Sequence, residues 1–239
     1  MRGALPKAFV TVFCVSAALA GVRAQERFQG ATFDFEKDVV DGPPKGLAFV
    51  VAGGGKPGVW VVQTEPEDKQ RKDDKQRRRN ILVQTDSDAS ADRSLFALYN
   101  DPTQKMVVLK VTDVDLSMQF KPISGKGDQA AGFVWRYRDE GNYYLTQCSA
   151  VGNSCTIDRV VNGRRDTIQK VNAKVATGVW HTLRLDAIRD RFMVLLDGKK
   201  VLEAKDSMIK DDGNVGLWTH ADSVVAFNDF AISGRRGKQ

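Results

Sequence analysis

Short runs of aromatic and β-branched residues, separated by Gly, Asn and Asp, constrain the fold of this chain more than any other sequence feature. The pattern is strongest from residue 131 to 230, where the runs 132–138 and 143–147 flank the turn residues 139–142. Such spacing is typical of antiparallel strands joined by tight hairpins. The sequence therefore predicts an all-β fold.

The remaining pattern supports the same prediction. Residues 113–121 alternate strictly between apolar and polar side chains, as in a strand with one buried face. Asn162-Gly163 and Asp197-Gly198 are turn dipeptides between further runs. We count roughly twelve to fourteen strand segments and no sustained helical period, a pattern that two stacked antiparallel sheets bury best.

The first 24 residues have the features of a secretory signal peptide. A basic start precedes the apolar run 8–20, and small residues surround a cleavage point after Ala24. The run is too short to span a bilayer comfortably, although an uncleaved anchor stays open. The sequence thus predicts a secreted or periplasmic protein with no membrane span after signal removal. It also predicts a single domain at 25–233 and a basic tail at 234–239.

The net charge of the chain indicates which classes of partner it can bind. The formal net charge is +6, and the predicted signal peptide contributes three positive charges (Arg2, Lys7 and Arg23) and no acids, which leaves +3. A charge this small and dispersed predicts no nucleic-acid partner. Residues 65–79 carry dense charge of both signs, which is typical of a surface loop, although an acidic partner stays open.

Cysteine usage predicts one disulfide. Of three cysteines, Cys14 lies in the predicted signal peptide, which leaves Cys148 and Cys155 at short spacing. In an exported protein such a pair is best interpreted as a disulfide, here joining the end of one strand to the start of the next.

Four segments carry a family resemblance: GVWHTLR at 178–184, VLLDGK at 194–199, GNVGLWTHAD at 213–222 and FNDF at 227–230. They resemble the C-terminal half of concanavalin A-like lectin/glucanase jelly rolls. Within that superfamily the chain is most similar to the bacterial 3-keto-disaccharide hydrolase domain, which is related to family 16 glycoside hydrolases. The resemblance covers roughly residues 31–232 and implies a two-sheet antiparallel jelly-roll sandwich that holds sugars on a concave sheet.

The chain also departs from that family. Trp218 stands where the family prefers Gln, Ala221 where it has Gly, and Asn228 where it has Arg. The Glu-x-Asp-x-x-Glu strand of family 16 is absent, and Asp113-Val114-Asp115 is its nearest approach. We therefore do not expect retaining glycosidase chemistry of that kind, and the fold carries over better than the activity.

Side chains alternate between the two faces of a strand, and this alternation identifies candidate ligand-binding residues. Trp218 and His220 are two apart in a predicted strand and so project from one face. Arg136 and Arg138 are predicted to share a face of the hairpin opposite the aromatic residues. The predicted sugar-binding set, which offers a ring, guanidinium groups and hydroxyls, comprises Arg136, Arg138, Tyr144, Thr146 and Trp218. The alternative is that Trp218 belongs to the core and both arginines are solvated.

The chain has two histidines, His181 and His220. His220 sits where the resembled family keeps a histidine, so it is the candidate catalytic acid or base. A hydrogen-bonded structural role for His220 stays open, and His181, which follows Trp180 at a strand start, is interpreted as structural.

A structural Ca²⁺ site is a further candidate. Asp34, Glu36 and Asp229 would meet if the first and last strands pair, and carboxylates are the ligands that Ca²⁺ prefers. The alternative is that these acids only keep a sheet edge soluble.

These observations give one leading functional hypothesis and two alternatives. The first is an exported jelly-roll domain that binds a saccharide on its concave sheet. The second is a hydrolase or lyase acting on a glycoside or 3-keto-sugar, and the third is a structural or protein-interaction sandwich without a sugar site.

Overall fold

The computed structural model describes residues 27–65, 78–89, 92–100 and 111–236. The predicted signal peptide and most of the charged segment 65–79 lie outside the described residues. Within the described ranges all regular structure is β-strand, which confirms the all-β prediction. None of these described residues belongs to a helix that is long and apolar enough to cross a membrane.

The described strands, in chain order, are β1 (Arg27–Phe33), β2 (Leu47–Ala52), β3 (Trp60–Thr64), β4 (Asn80–Gln84), β5 (Ser94–Tyr99), β6 (Val111–Ser124), β7 (Ala130–Asp139), β8 (Asn142–Ser149), β9 (Ser154–Val161), β10 (Arg164–Asn172), β11 (His181–Ile188), β12 (Arg191–Leu196), β13 (Lys199–Lys205), β14 (Asn214–His220) and β15 (Val224–Arg236).

The strands form two antiparallel sheets. Sheet A has the order β13-β12-β11-β6-β15-β4-β3, with β1 also paired to β15, and sheet B has the order β10-β9-β8-β7-β14-β5-β2. The long strand β15 pairs with β4 through Phe227 and with β1 through Phe230, so the first and last strands are neighbours as predicted. β15 continues to Arg236, three residues beyond the domain end predicted at 233.

Aromatic residues from both sheets meet in the core. Trp135 of sheet B contacts Phe192 of sheet A edge-to-face at 5.2 Å between ring centroids. Phe133 of sheet B stacks on Phe230 of sheet A at 6.1 Å. All four are buried, and truncating one such ring typically costs about 3–5 kcal/mol of stability. These contacts hold the two sheets face to face.

The disulfide prediction is confirmed. Cys148 and Cys155 are bonded and lie directly opposite each other in the β8–β9 ladder. Both are fully buried in the core between the sheets. Because side chains alternate along a strand, the residues next to each cysteine face away from the core.

The outer face of sheet B carries a second apolar cluster, which includes the rings of Phe96, Tyr143 and Trp218. Phe96 on β5 and Tyr143 on β8 are three strand positions apart, which is about 14 Å in a flat sheet. Their ring centroids are only 5.3 Å apart. Sheet B must therefore curve toward this face. On the two intervening strands, Gly132 and Gly216 stand where a Cβ would meet the backbone of the adjacent strand.

Candidate functional site

Trp218 and His220 project from the same face of β14, as predicted. Their rings stack at 5.6 Å between centroids with an interplanar angle of 13°. Val215 and Leu217 point into the core between the sheets, so Trp218 and His220 lie on the curved outer face of sheet B. Around them lie Gln147, Asp158 and Arg165, and we refer to these five residues as the Trp218 cluster.

Arg165 lies over the indole of Trp218. Its guanidinium carbon is 5.6 Å from the ring centroid, within the range of a cation–π contact. Trp218 itself has no exposed surface, whereas the Arg165 side chain is 34% exposed. Arg165 is therefore the solvent-accessible part of this contact.

A buried carboxylate holds Arg165 in place. Asp158 accepts hydrogen bonds from Arg165 Nη2, Thr156 Oγ1 and Thr167 Oγ1, each at 2.6 Å, and it is fully buried. Removing one partner of a buried charge pair usually costs about 3–5 kcal/mol, because the other charge remains uncompensated. Asp158 thus fixes Arg165, and Arg165 in turn neutralises Asp158.

Two buried polar atoms of the Trp218 cluster have no hydrogen-bond partner: the indole Nε1 of Trp218, a donor, and the amide Oε1 of Gln147, an acceptor. In the ladder Trp218 is opposite Gly132, and Gly132 is opposite Gln147. The donor and the acceptor therefore flank a strand position that has no side chain. A hydroxyl group placed there can accept from one and donate to the other.

His220 lies between two carboxylates. Its Nε2 is 2.6 Å from Asp92 Oδ1 and its Nδ1 is 3.6 Å from Asp128 Oδ2. Burial works against protonation, but the hydrogen bonds to Asp128 and Asp92 outweigh it and raise the pKa of His220. Burial likewise opposes ionisation of Asp128, yet its hydrogen bonds to His220 and Ser149 lower its pKa. The site therefore favours a histidinium beside a carboxylate.

Asp222 organises the loop that carries Asp128. Its carboxylate accepts backbone N–H groups of Lys126 at 2.6 Å, Gly127 at 3.1 Å and Asp128 at 3.0 Å. These backbone hydrogen bonds overcome the effect of burial and lower the pKa of Asp222. The Asp128 side chain is fixed further by Ser149 Oγ at 2.5 Å. The carboxylate next to His220 is therefore well ordered.

Comparison with known proteins identifies the family. Residues 97–233 match the family described as the 3-keto-alpha-glucoside-1,2-lyase-like domain. The chain belongs to this family. The matched range includes the whole Trp218 cluster and Asp128, and it confirms the resemblance that the sequence motifs indicated. No curated protein sequence matches the chain.

Solved structures confirm the jelly-roll sandwich fold. The carbohydrate-binding module CBM66 from Bacillus subtilis has a TM-score of 0.52 at 19% identity, covering 72% of this chain and 94% of that chain. A β-glucanase from Bacillus licheniformis has a TM-score of 0.50 at 12% identity, covering 87% and 98%. A protein of unknown function from Shewanella oneidensis MR-1 has a TM-score of 0.50 at 13% identity, covering 90% and 91%.

The prediction that Arg136 lines the same hollow as Trp218 and His220 is wrong. Arg136 has a left-handed backbone with φ of 48°, and the β7–β8 register shifts between Trp135 and Asp139. This bulge breaks the alternation and places Tyr137 in the outer-face cluster. Arg136 lies at the Asn214 end of β14, about 20 Å from the His220 end.

Three other predicted lining residues also lie elsewhere. Tyr144 and Thr146 are fully buried and share the inward direction of Cys148, since all three are an even number of residues apart. Tyr144 stacks on Trp135 at 5.4 Å, within the core between the sheets. Arg138 is exposed at the strand end and pairs with Asp211 at 2.8 Å.

The sequence interpretation missed Gln147, Asp158 and Arg165. A signal for them was present, because a buried Cys148–Cys155 pair turns Gln147 and Asp158 outward by alternation. The Asn162-Gly163 turn then sets the β9–β10 register, which places Arg165 opposite Val160, on the face of Asp158.

The predicted Ca²⁺ ligands do not form a cation site. Asp34 Oδ1 accepts the backbone N–H of Glu36 at 3.2 Å, and Glu36 Oε1 accepts that of Asn80 at 3.2 Å. No group of three or more potential ligands occurs in the part of the chain that the structure describes. The pairing of β1 with β15 therefore does not bring Asp34, Glu36 and Asp229 into a Ca²⁺ cage.

His181 has the structural role that the sequence predicted. Its Nδ1 is 2.8 Å from Asp197 Oδ2, and its Nε2 accepts the backbone N–H of Ala176 at 3.0 Å. It is buried and packs against Phe120. His181 therefore anchors the start of β11 to the β12–β13 turn.

We expect a His220→Gln substitution to destabilise the protein most at acidic pH. Because the folded-state pKa of His220 is raised, its stabilising contribution is complete below its unfolded pKa of about 6.5 and is lost as pH rises through the folded value. Urea unfolding of both proteins between about pH 5 and 9 measures the difference. A difference that stays constant, or grows with pH, would contradict the assigned ion pairs.

Proposed function

We propose that the protein is an exported saccharide-binding domain and that the Trp218 cluster on the curved face of sheet B is its binding site. The observation that carries this proposal is the unpartnered donor–acceptor pair formed by Trp218 Nε1 and Gln147 Oε1 across Gly132. A sugar hydroxyl both donates and accepts, so one hydroxyl can satisfy both atoms. Buried polar atoms left without partners usually mark a role that requires a ligand or a water.

The neighbouring groups fit the same ligand. The indole of Trp218 offers an apolar face to sugar C–H groups, while Arg165 and Asp158 offer charged donors and acceptors to hydroxyls. A ring with a few convergent polar groups on a concave surface is the usual composition of a small-molecule site. The family membership and the carbohydrate-binding module among the similar folds point in the same direction.

Binding at this site requires Arg165 to move. Trp218 is fully covered, and the Arg165 guanidinium lies over its ring. The Arg165 side chain is long and partly exposed, so its guanidinium can turn off the indole while it keeps its ion pair with Asp158. This rearrangement costs free energy, so we expect modest affinity for a single sugar unit.

An unpartnered indole alone does not define a site. Trp135 Nε1 is also buried without a partner. Trp135 lies between the sheets against Phe192, where no ligand can reach it. Trp135 is therefore the matched control for Trp218.

We expect neutral mono- or disaccharides to bind and to change the intrinsic tryptophan fluorescence. Gln147→Met preserves side-chain volume but removes the acceptor, so affinity should fall about tenfold, which corresponds to one hydrogen bond of about 1.4 kcal/mol. Trp218→Phe should weaken binding as well. Calorimetric titration with a saccharide panel measures both.

In the same titrations Trp135→Phe should bind as the unchanged protein does. Absence of binding across the panel, or equal affinity in the Gln147→Met protein, would refute the site.

A lyase activity at the same surface is the second candidate, and the placement of His220 between two aspartates favours it. The family description implies a 1,2-elimination, in which the C2–H and C1–O bonds break and a C1=C2 double bond forms. The Asp92 carboxylate, 2.6 Å from His220 and 90% exposed, would accept the C2 proton. The His220 imidazolium would donate a proton to the departing oxygen.

Turnover of a 3-keto-α-glucoside, followed by the absorbance of the unsaturated ketone product, tests this candidate. We expect activity to fall at least about a hundredfold in His220→Gln and in Asp92→Asn, as is usual for a general acid or base. Arg138→Gln, a surface change, should leave it intact. An inactive unchanged protein, or an active His220→Gln protein, would leave saccharide binding as the function.

Export is supported by the Cys148–Cys155 disulfide, since disulfides persist in oxidising compartments. When the full chain is expressed in bacteria, we expect the exported protein to begin near Gln25 and to contain no free thiol. Reduction of the bond should lower the free energy of unfolding by about 2–3 kcal/mol. A cytoplasmic product that retains residues 1–24 would contradict this.

A further inference from the structure

A cleft of approximately 1080 Å³ opens at the Arg136 end of the sandwich, away from the Trp218 cluster. Its walls come from the start of β6, the bulge of β7, the β11–β12 hairpin, the end of β13 and the segment after it. Its lining includes Thr112, the buried Arg136 and the exposed Ile188. Surface pockets of this size typically hold small molecules.

Arg136 brings a buried positive charge to this cleft. The residue is 3% exposed, and its guanidinium donates to the carbonyl oxygens of Thr112 at 3.0 Å, Ile209 at 2.7 Å and Arg189 at 2.5 Å. Among the described residues no carboxylate forms an ion pair with it, and Asp113, Asp190 and Asp206 favour its charged form only through longer-range attraction. A guanidinium has five N–H donors, so two remain after these three bonds. Buried charges are ordinarily paired, so this one calls for an anion.

Four further cations line the cleft and make no side-chain hydrogen bond or ion pair in the described ranges: Arg189, Arg191, Lys205 and Lys210.

Most of the carboxylates that line the cleft are already engaged. Glu203 pairs with Lys200 at 2.8 Å, Asp186 with Arg184 at 3.4 Å, and Asp113 accepts the backbone N–H of Arg189 at 2.8 Å. The Asp190 carboxylate forms no hydrogen bond or ion pair with the described residues, and it attracts Arg136 at longer range. Asp113 and Asp190 keep their negative charges, but the five cations of the lining outnumber them, so the cleft is net positive and concentrates anions.

We propose that this cleft is a second ligand site and that it binds an anionic saccharide, with a carboxylate or sulfate group held by Arg136 and the lining lysines. Arginine pairs with planar carboxylates through two parallel N–H bonds, and lysines add attraction as point charges. The exposed Ile188 supplies an apolar surface for the sugar C–H groups. The proposal is independent of neutral saccharide binding at the Trp218 cluster.

Calorimetry at low ionic strength, with D-glucuronate, D-glucose and inorganic sulfate as probes at matched salt, tests the proposal. We expect glucuronate to bind and glucose not to bind at this cleft, and sulfate to compete. The exposed pair Lys205→Gln/Lys210→Gln should weaken glucuronate binding at least about tenfold without affecting folding. Added salt should weaken binding in the unchanged protein.

Two controls separate this cleft from other surfaces. Lys174→Gln/Lys199→Gln removes two exposed lysines elsewhere and should leave glucuronate binding unchanged. Gln147→Met should also leave it unchanged, which distinguishes it from the Trp218 cluster. Equal affinity in the Lys205/Lys210 variant, binding of sulfate but not of glucuronate, or no binding of glucuronate at all would each overturn the proposal.

Discussion

The structure depends on side-chain alternation, and the Cys148–Cys155 bond fixes that alternation in sheet B. The two cysteines face each other across β8 and β9 inside the core. A shift of one residue would turn every side chain of these strands to the opposite face. The bond therefore fixes which residues contact sheet A and which lie on the curved outer face.

The outer face of sheet B is unusual because it is apolar and yet faces away from the core between the sheets. Curvature brings Phe96 and Tyr143 together across the two intervening strands. A Cβ at Gly132 would come within 2.1 Å of the Thr146 carbonyl oxygen, so the strands approach closely there. The same glycine separates the strand positions of Trp218 and Gln147, so the close approach of the strands and the unpartnered donor–acceptor pair occur at one place in the sheet.

The bulge at Arg136 shapes the other end of the molecule. It moves a charged side chain into the end of the core, where three carbonyl groups from different segments bind it. Gly213 makes this possible, because a Cβ there would lie 2.5 Å from the Arg136 backbone. One irregularity thus removes Arg136 from the curved face and gives the distant cleft its buried charge.

The sequence by itself determined the all-β class, the pairing of Cys148 with Cys155 and the shared face of Trp218 and His220. Each of these follows from local spacing, because alternation and hairpin turns act over a few residues. Only the tertiary structure decided that Tyr144 faces the core and that Arg136 leaves its expected face. A bulge is a compromise between neighbouring strands, so its position depends on contacts between residues that are far apart in the chain.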